Sequence, residues 1–169
     1  MGGHPKGLLA APGGGVSLVE RLVAEVTRAG AVPILVGRAE AYEAMAHEAL
    51  RLDDAGDGPL GGMAALVAVL PPRATVITVA CDQPGVGAEH FEALWAAAPG
   101  AELAAARRGG RWEPFPARWS IGAVREVLPG LRAAGRGSWQ ALCGALRAEE
   151  VALDDAALED WDHPEDVRG

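Results

Sequence analysis

Long apolar runs are missing from this 169-residue chain. No stretch approaches the roughly 20 residues that span a bilayer, so a membrane span is not expected. Cysteine is scarce. Cys81 and Cys143 lie far apart and form no CxxC, which excludes a disulfide scaffold and fits a reduced, cytoplasmic setting. Aromatic residues are only 5% of a chain that is 50% hydrophobic, so packing must rely on small residues and close backbone approach. Positive charge is short: the net charge is −8, which disfavours a nucleic-acid groove or an anionic membrane as partner. A small anionic ligand stays open if positive charge is placed locally. Lysine is nearly absent, since Lys6 stands against 14 arginines. The first residues lack the charged and apolar regions of a signal peptide. There is no GxxxxGK[ST], no GxGxxG after a strand, no GxSxG, and no zinc spacing among His4, His47, His90 and His163.

What is present reads as one α/β domain over residues 1–169, at ~100–200 residues per domain. Gly13 to Gly15 form a turn. Ser17 opens a helix with Glu20 as its capping-box partner, and Gly30 ends it. Ala31–Val36 reads as a buried strand, with Pro33 out of place in it. Helices are expected over Glu40–Leu50 and Leu60–Leu70, around an acidic loop from Asp53 to Pro59. Thr75–Ala80 is the clearest strand, β-branched and uncharged. A helix over Ala88–Ala98, a strand over Glu102–Ala106 and an extended or irregular Trp112–Trp119 follow. Further helices are expected at about Ile121–Leu128 and Ser138–Leu146, with a last short one opened by Pro164. Alternation at this spacing predicts a mainly parallel sheet covered by helices on both faces, with ligands at the carboxyl ends of the strands.

Four constellations could carry chemistry. Asp82, in Cys-Asp-Gln-Pro at 81–84, leaves the end of a buried strand on a rigid base. A hard cation such as Mg²⁺ takes one or two such carboxylates and completes its octahedron with phosphates and water. The same residues also make an ordinary turn. Asp160 and Asp162 stand before Pro164. Asp162 is either the cap of the last helix or a second carboxylate for a metal at Asp82. The glycines of Gly-Pro-Leu-Gly-Gly-Met at 58–63 let a ligand approach a helix start, whose N–H groups bind a base or a phosphate. A tight loop needing positive φ is the alternative, and Asp53, Asp54 and Asp57 also read as a solvated loop. Lys6 is a compact charge suited to phosphate, or a solvated tail.

The order of these motifs resembles the molybdenum cofactor guanylyltransferases. Met-Gly-Gly-x-x-Lys-Gly-Leu-Leu at 1–9 is followed by the 58–63 loop, by the strand ending in Cys-Asp-Gln-Pro, and by Asp-Trp-Asp-His-Pro-Glu-Asp at 160–166. The chain also resembles the wider nucleotidyltransferase group with a glycosyltransferase-A-like Rossmann fold. The resemblance covers essentially the whole chain. It implies a three-layer α/β/α fold and an enzyme that moves GMP from GTP onto the terminal phosphate of molybdopterin, releasing pyrophosphate. Lys6 would neutralise phosphate. Gly58, Pro59, Leu60, Gly61 and Gly62 would receive the nucleobase, with Asp53 or Asp54 near an acidic position before that loop. Asp82 would bind Mg²⁺, with Asp162 as a second metal-side residue. GTP, the molybdenum cofactor and other cofactor-biosynthesis proteins or molybdoenzymes are the implied partners. A related cytidylyl- or sugar-phosphate nucleotidyltransferase, or a non-catalytic remnant, are the alternatives. Pro5 and His163 depart from the family pattern. The family also opens with a buried strand and a Gly-rich, Arg-containing loop, and this chain begins where that loop would end. The expectation is therefore a sheet without its first strand, with unpaired edges and poor solubility.

Overall fold

A computed structural model describes residues 6–37, 42–43, 48–54, 56 and 58–161. The strands are β1 (Ile34–Val36), β2 (Leu50–Leu52), β3 (Thr75–Thr78), β4 (Leu103–Arg108), β5 (Arg111–Ser120) and β6 (Ala148–Glu150). The helices are α1 (Leu18–Arg28), α2 (Gly61–Val69), α3 (Ala88–Trp95), α4 (Ile121–Ala133) and α5 (Trp139–Gly144), with short 3₁₀ turns at Lys6–Leu8 and Ala156–Leu158.

β1 and β2 pair in parallel, and β3-β5-β4-β6 form a second sheet. Within that sheet β3, β4 and β6 share one direction and only β5 runs against them. α2 links β2 to β3, and the residues that follow β1 and β3, Gly37 and Val79 to Asp82, line one cavity.

Alternation along the strands divides the core into two layers. Val76, Leu103 and Ala105 face α2, α4 and α5 with Met63, Leu66, Ile121 and Leu142. Ile77 and Ala104 face α3, against Leu94 and Ala97. Leu22 of α1 packs with Phe91 and Val86 on that same side. The three-layer α/β/α architecture follows. Small residues allow its close packing, for Ala104, Ala105 and Ala117 are all fully buried.

Local signals account for much of this. Ser17 caps α1, with the Glu20 carboxylate accepting from the Ser17 backbone N–H at 2.6 Å. Gly30 takes φ +75 after that helix, a conformation that costs glycine no steric penalty. Pro33 stays outside β1, where its carbonyl accepts from Leu50 N–H at 3.0 Å, so the strand is shorter than the expected Ala31–Val36.

Other boundaries moved. Leu50, expected to end a helix, opens β2 instead. Of the rest of the expected Glu40–Leu50 helix, Tyr42 and Glu43 lie in a 3₁₀ turn, and 40, 41 and 44–47 lie outside the described residues. Of the two readings of Trp112–Trp119, the extended one holds: it is the body of the ten-residue β5. α4 continues through Pro129 to Ala133, because Leu128 and Leu131 are both buried against the core and outweigh the one backbone hydrogen bond that proline removes. β6 has no signal of its own in Ala-Glu-Glu. Pairing with Leu103–Ala105 of β4 makes it a strand.

Candidate active site at the carboxyl end of the third strand

Asp82 follows β3 on a loop held from three sides. Gln83 is only 2% exposed, and its side chain bridges two elements. Its Oε1 accepts from Ala80 N–H at 3.1 Å, and its Nε2 donates to the Phe115 carbonyl on β5 at 2.8 Å. From α1, the Arg21 guanidinium donates to the carbonyls of Pro84 and Val86, the latter at 2.7 Å. On the third side Gly85 packs on the 3₁₀ turn, where a Cβ would lie 2.0 Å from the Ala156 carbonyl oxygen, so glycine is required. Gln83→Leu would leave a backbone N–H and a backbone carbonyl without partners, at about 1–3 kcal/mol each. The expected result is a melting temperature lowered by several degrees, read by calorimetry.

Lys6 is not a solvated tail. Its Nζ donates to Asp82 Oδ2 at 2.8 Å, and the two side chains are 32% and 18% exposed. This is a half-buried pair that solvent and ligands can reach. The following residue explains the close approach. A Cβ on Gly7 would lie 2.9 Å from the Tyr42 hydroxyl and 3.2 Å from Cys81 Cβ. The Tyr42 hydroxyl hydrogen-bonds the Cys81 thiol and the Gly7 backbone N–H. Burial, with Cys81 beside it, pushes the Tyr42 phenol up to about 12, and burial likewise raises the Cys81 thiol above its usual value.

Tyr42 is the chain's single tyrosine, so absorbance reads it alone. The folded protein should ionise it near pH 12 and the unfolded chain near 10. The folded state holds its proton longer. The stability this group contributes is therefore complete below pH 10 and is lost as pH rises from 10 to 12. A tyrosine titrating near 10 in the folded protein would break this account of the contact.

Across the mouth of a cavity from Asp82 stands the 58–63 loop. Pro59, Gly62, Asp54 and Asp82 all line that cavity. Gly58 has φ +78, and its carbonyl accepts from Gly61 N–H at 3.0 Å, which turns the chain into α2. The tight-turn reading of this loop holds, since Gly58 takes a positive φ. The N-cap position of α2 is Leu60, whose side chain makes no cap hydrogen bond, and its first turn carries no acidic residue. Leu60 is buried and can meet a ligand only through its backbone. Asp54 and Asp53 separate clearly. Asp54 lines the cavity, accepts from Gly56 N–H at 3.2 Å and lies against Gly61, whereas Asp53 is exposed and lines no part of it.

The C-terminal segment also reaches this end of the sheet. Trp161 N–H donates to the Asp82 carbonyl at 2.9 Å, which carries Asp160 close to it. Asp162 lies outside the described residues, as do Asp57, His163 and Pro164. Among the described residues no group of three or more His, Cys, Asp or Glu side chains could hold a metal. Asp82 offers a carboxylate on a rigid strand end, which fits a cation that takes other oxygens from phosphate and water. Sequence reasoning missed Tyr42, Arg21 and the bridging of Gln83. Only Gln83 had a signal, its place in the 81–84 motif.

The carboxylate–lysine pair sits after a β-strand of an α/β sheet, on the same cavity as the loop that leads into α2. The chain belongs to the MobA-like NTP transferase domain family, whose model matches residues 1–151. It is a nucleotidyltransferase by membership. The molybdenum cofactor guanylyltransferase of Pseudomonas putida (strain KT2440) is 35% identical over 178 residues, covering 98% of this chain and 87% of that protein. Among solved structures, molybdopterin-guanine dinucleotide biosynthesis protein A from Archaeoglobus fulgidus has a TM-score of 0.73 at 16% identity, covering 96% of this chain and 87% of the other. The 2-C-methyl-D-erythritol 4-phosphate cytidylyltransferase of Thermus thermophilus has a TM-score of 0.75 at 21% identity, covering 97% and 91%. These two share the fold. No helix of the described residues is long and apolar enough to cross a membrane.

Proposed function

We propose that the protein transfers GMP from GTP to the terminal phosphate of molybdopterin and releases pyrophosphate. The observation that carries this reading is the Lys6–Asp82 pair at 2.8 Å, on the same cavity as the loop that leads into α2. The 35% identical guanylyltransferase relative supports the choice of nucleotide and acceptor. A phosphate oxygen of the acceptor attacks the α-phosphorus of GTP. The bond from that phosphorus to the bridging oxygen breaks, and pyrophosphate leaves with the electron pair.

The chain's own residues position and balance charge, which is most of what phosphoryl and nucleotidyl transfer requires. Lys6 offsets negative charge on the phosphates. The Gly58–Gly62 backbone receives the guanine base, with Asp54 rather than Asp53 as the acidic neighbour. Asp82 holds Mg²⁺, with Asp162 as a second donor. The position of Trp161, hydrogen-bonded at Asp82, supports that pairing. Bound Mg²⁺ supplies a Lewis acid for the phosphate oxygens. The two free thiols Cys81 and Cys143 support a reduced, cytoplasmic setting for the reaction.

Pyrophosphate release from GTP and from CTP, each with molybdopterin, with and without Mg²⁺, tests the reading. GTP should be used at least about tenfold better, a difference of about 1.4 kcal/mol in the transition state. Preference for CTP would transfer the chain to the cytidylyl reading. Binding of GTP without turnover would favour the non-catalytic one. Lys6→Met should lower kcat/KM roughly 100-fold while leaving the melting temperature within a degree or two, because a half-exposed ion pair adds little to stability.

A further inference from the structure

The two halves of the Lys6–Asp82 pair are carried by different parts of the molecule. Asp82 follows β3 of the four-stranded sheet. The Lys6–Leu8 turn is carried by α1, because Leu18 N–H donates to the Leu9 carbonyl at 2.9 Å and Leu9 N–H to the Lys6 carbonyl at 3.0 Å. Tyr42 stands where these parts meet. Its ring packs against Val19 and Val23 of α1 and against Ala49. Its hydroxyl donates to Cys81 Sγ and accepts from Gly7 N–H. That N–H belongs to the peptide joining Gly7 to Lys6, and Cys81 is the residue before Asp82. One oxygen thus touches the immediate neighbour of each member of the ion pair. The fit is close, for a methyl on Gly7 would lie 2.9 Å from the Tyr42 hydroxyl and 3.2 Å from Cys81 Cβ. A lysine carries its charge on a flexible four-carbon stem, so its aim depends on how firmly its backbone is held.

We propose that Tyr42 is a positioning residue for nucleotidyl transfer: its hydroxyl fixes the Lys6–Gly7 peptide against the end of β3, so that the lysine ammonium stands both at Asp82 and at the phosphates of the nucleotide. This rests on the role given to Lys6 above. Tyr42 touches no reacting atom and moves no proton, and its action is geometric. Without the hydroxyl, the ring still packs on α1, but the peptide before Gly7 loses its tie to Cys81. The ammonium then samples more positions. A loosened lysine still attracts a free triphosphate, so ground-state binding changes little. The loss falls on the transition state, where charge grows on the leaving pyrophosphate and a small misplacement is costly.

Lys6 is the single lysine of the chain, so an amine-selective acylating reagent reads it without any substrate, once peptide mapping has set the terminal amine apart. At one fixed pH, Tyr42→Phe should be acylated at Lys6 about threefold faster than the parent chain, because the pair with Asp82 is less firmly held. Its kcat should fall about tenfold, with KM for GTP changed by less than about twofold. In a Lys6→Met background the same substitution should slow turnover by less than about twofold, since the residue acts through Lys6. Val26→Ala weakens the packing of α1 in the neighbouring cluster and keeps the hydroxyl, so it should leave both readouts at the parent value per folded molecule. Unchanged acylation in Tyr42→Phe would overturn the proposal. So would a full tenfold loss in the Lys6→Met background, or the same two changes in Val26→Ala. A chain that transfers no GMP would sink the proposed function alone. Acylation would still decide the anchor: faster labelling upholds it and equal labelling overturns it. Should Tyr42→Phe fold poorly, Gly7→Ala takes its place, since its methyl wedges the turn away from the hydroxyl. Faster acylation is again expected, and an unchanged rate overturns the proposal.

Discussion

Asp82→Asn should lower nucleotidyl transfer about 1000-fold or more, equivalent to roughly 4 kcal/mol of transition-state stabilisation, while the protein melts as before. The separation of the two effects comes from how the loop is held. The main-chain carbonyl of Asp82, not its side chain, accepts from Trp161. Gln83, Arg21 and Gly85 fix the backbone on either side. Asparagine keeps the size and can still accept a hydrogen bond from Lys6. It loses the negative charge that a divalent cation requires, so the loss should appear in kcat and in metal affinity together. Steady-state pyrophosphate release across a Mg²⁺ titration measures both. A variant that turns over normally would remove Asp82 from the metal site. A variant that unfolds would show that the carboxylate is structural.

Trp119→Ala should destabilise the fold by about 3–5 kcal/mol, the usual cost of deleting a large buried aromatic side chain. Trp119 is fully buried and is the largest buried side chain of the core. It sits one residue before the end of β5, opposite Val76 of β3 and Leu103 of β4, and packs on Trp139 with ring centroids 5.6 Å apart. Its Nε1–H donates to Thr78 Oγ1 at 2.7 Å, and that hydroxyl in turn donates to the Pro114 carbonyl at 2.8 Å. The truncation thus removes packing and releases the last residue of β3, four positions before Asp82. For a chain of this size the melting temperature should fall by on the order of 10 °C. Activity should fall further than the folded fraction predicts, because the strand end that carries Asp82 loses its anchor. Trp119→Phe, which keeps most of the ring and loses the N–H, should recover most of the stability and less of the activity. Equal recovery of both would show that the hydrogen bond does not position the site.

The parts of the site legible in the sequence were those where one residue type suffices. Lysine beside a glycine, an aspartate after a β-branched run, and glycines before a helix each announce a local chemistry. The family resemblance then ordered them. Tyr42 announced nothing, because its contacts with Gly7 and Cys81 join positions far apart in the chain. Arg21 is similar: on α1 it reads as a solvated helix residue, yet it holds the loop that follows Asp82. The choice between Asp53 and Asp54 was also beyond sequence, since a one-residue step decides which carboxylate faces the cavity. Strand β6 and the length of β5 were set by pairing partners rather than by their own composition.

The sequence by itself determined the α/β class, the helix starts near Ser17, Ile121 and Ser138, the strand that ends before Asp82, and the family to which the motifs belong. All of these depend on local rules: capping by a side chain a few residues away, turns that require glycine, and apolar periodicity. Only the tertiary structure decided that Lys6 reaches Asp82 from 76 positions away. The same holds for the bridge from Gln83 to β5, and for the contacts of Tyr42 with Gly7 and Cys81. Those contacts form only after the chain has closed loops whose length leaves no periodic trace in the sequence. Their geometry is fixed by how the helix layers pack on the sheet, and short-range preferences do not encode it.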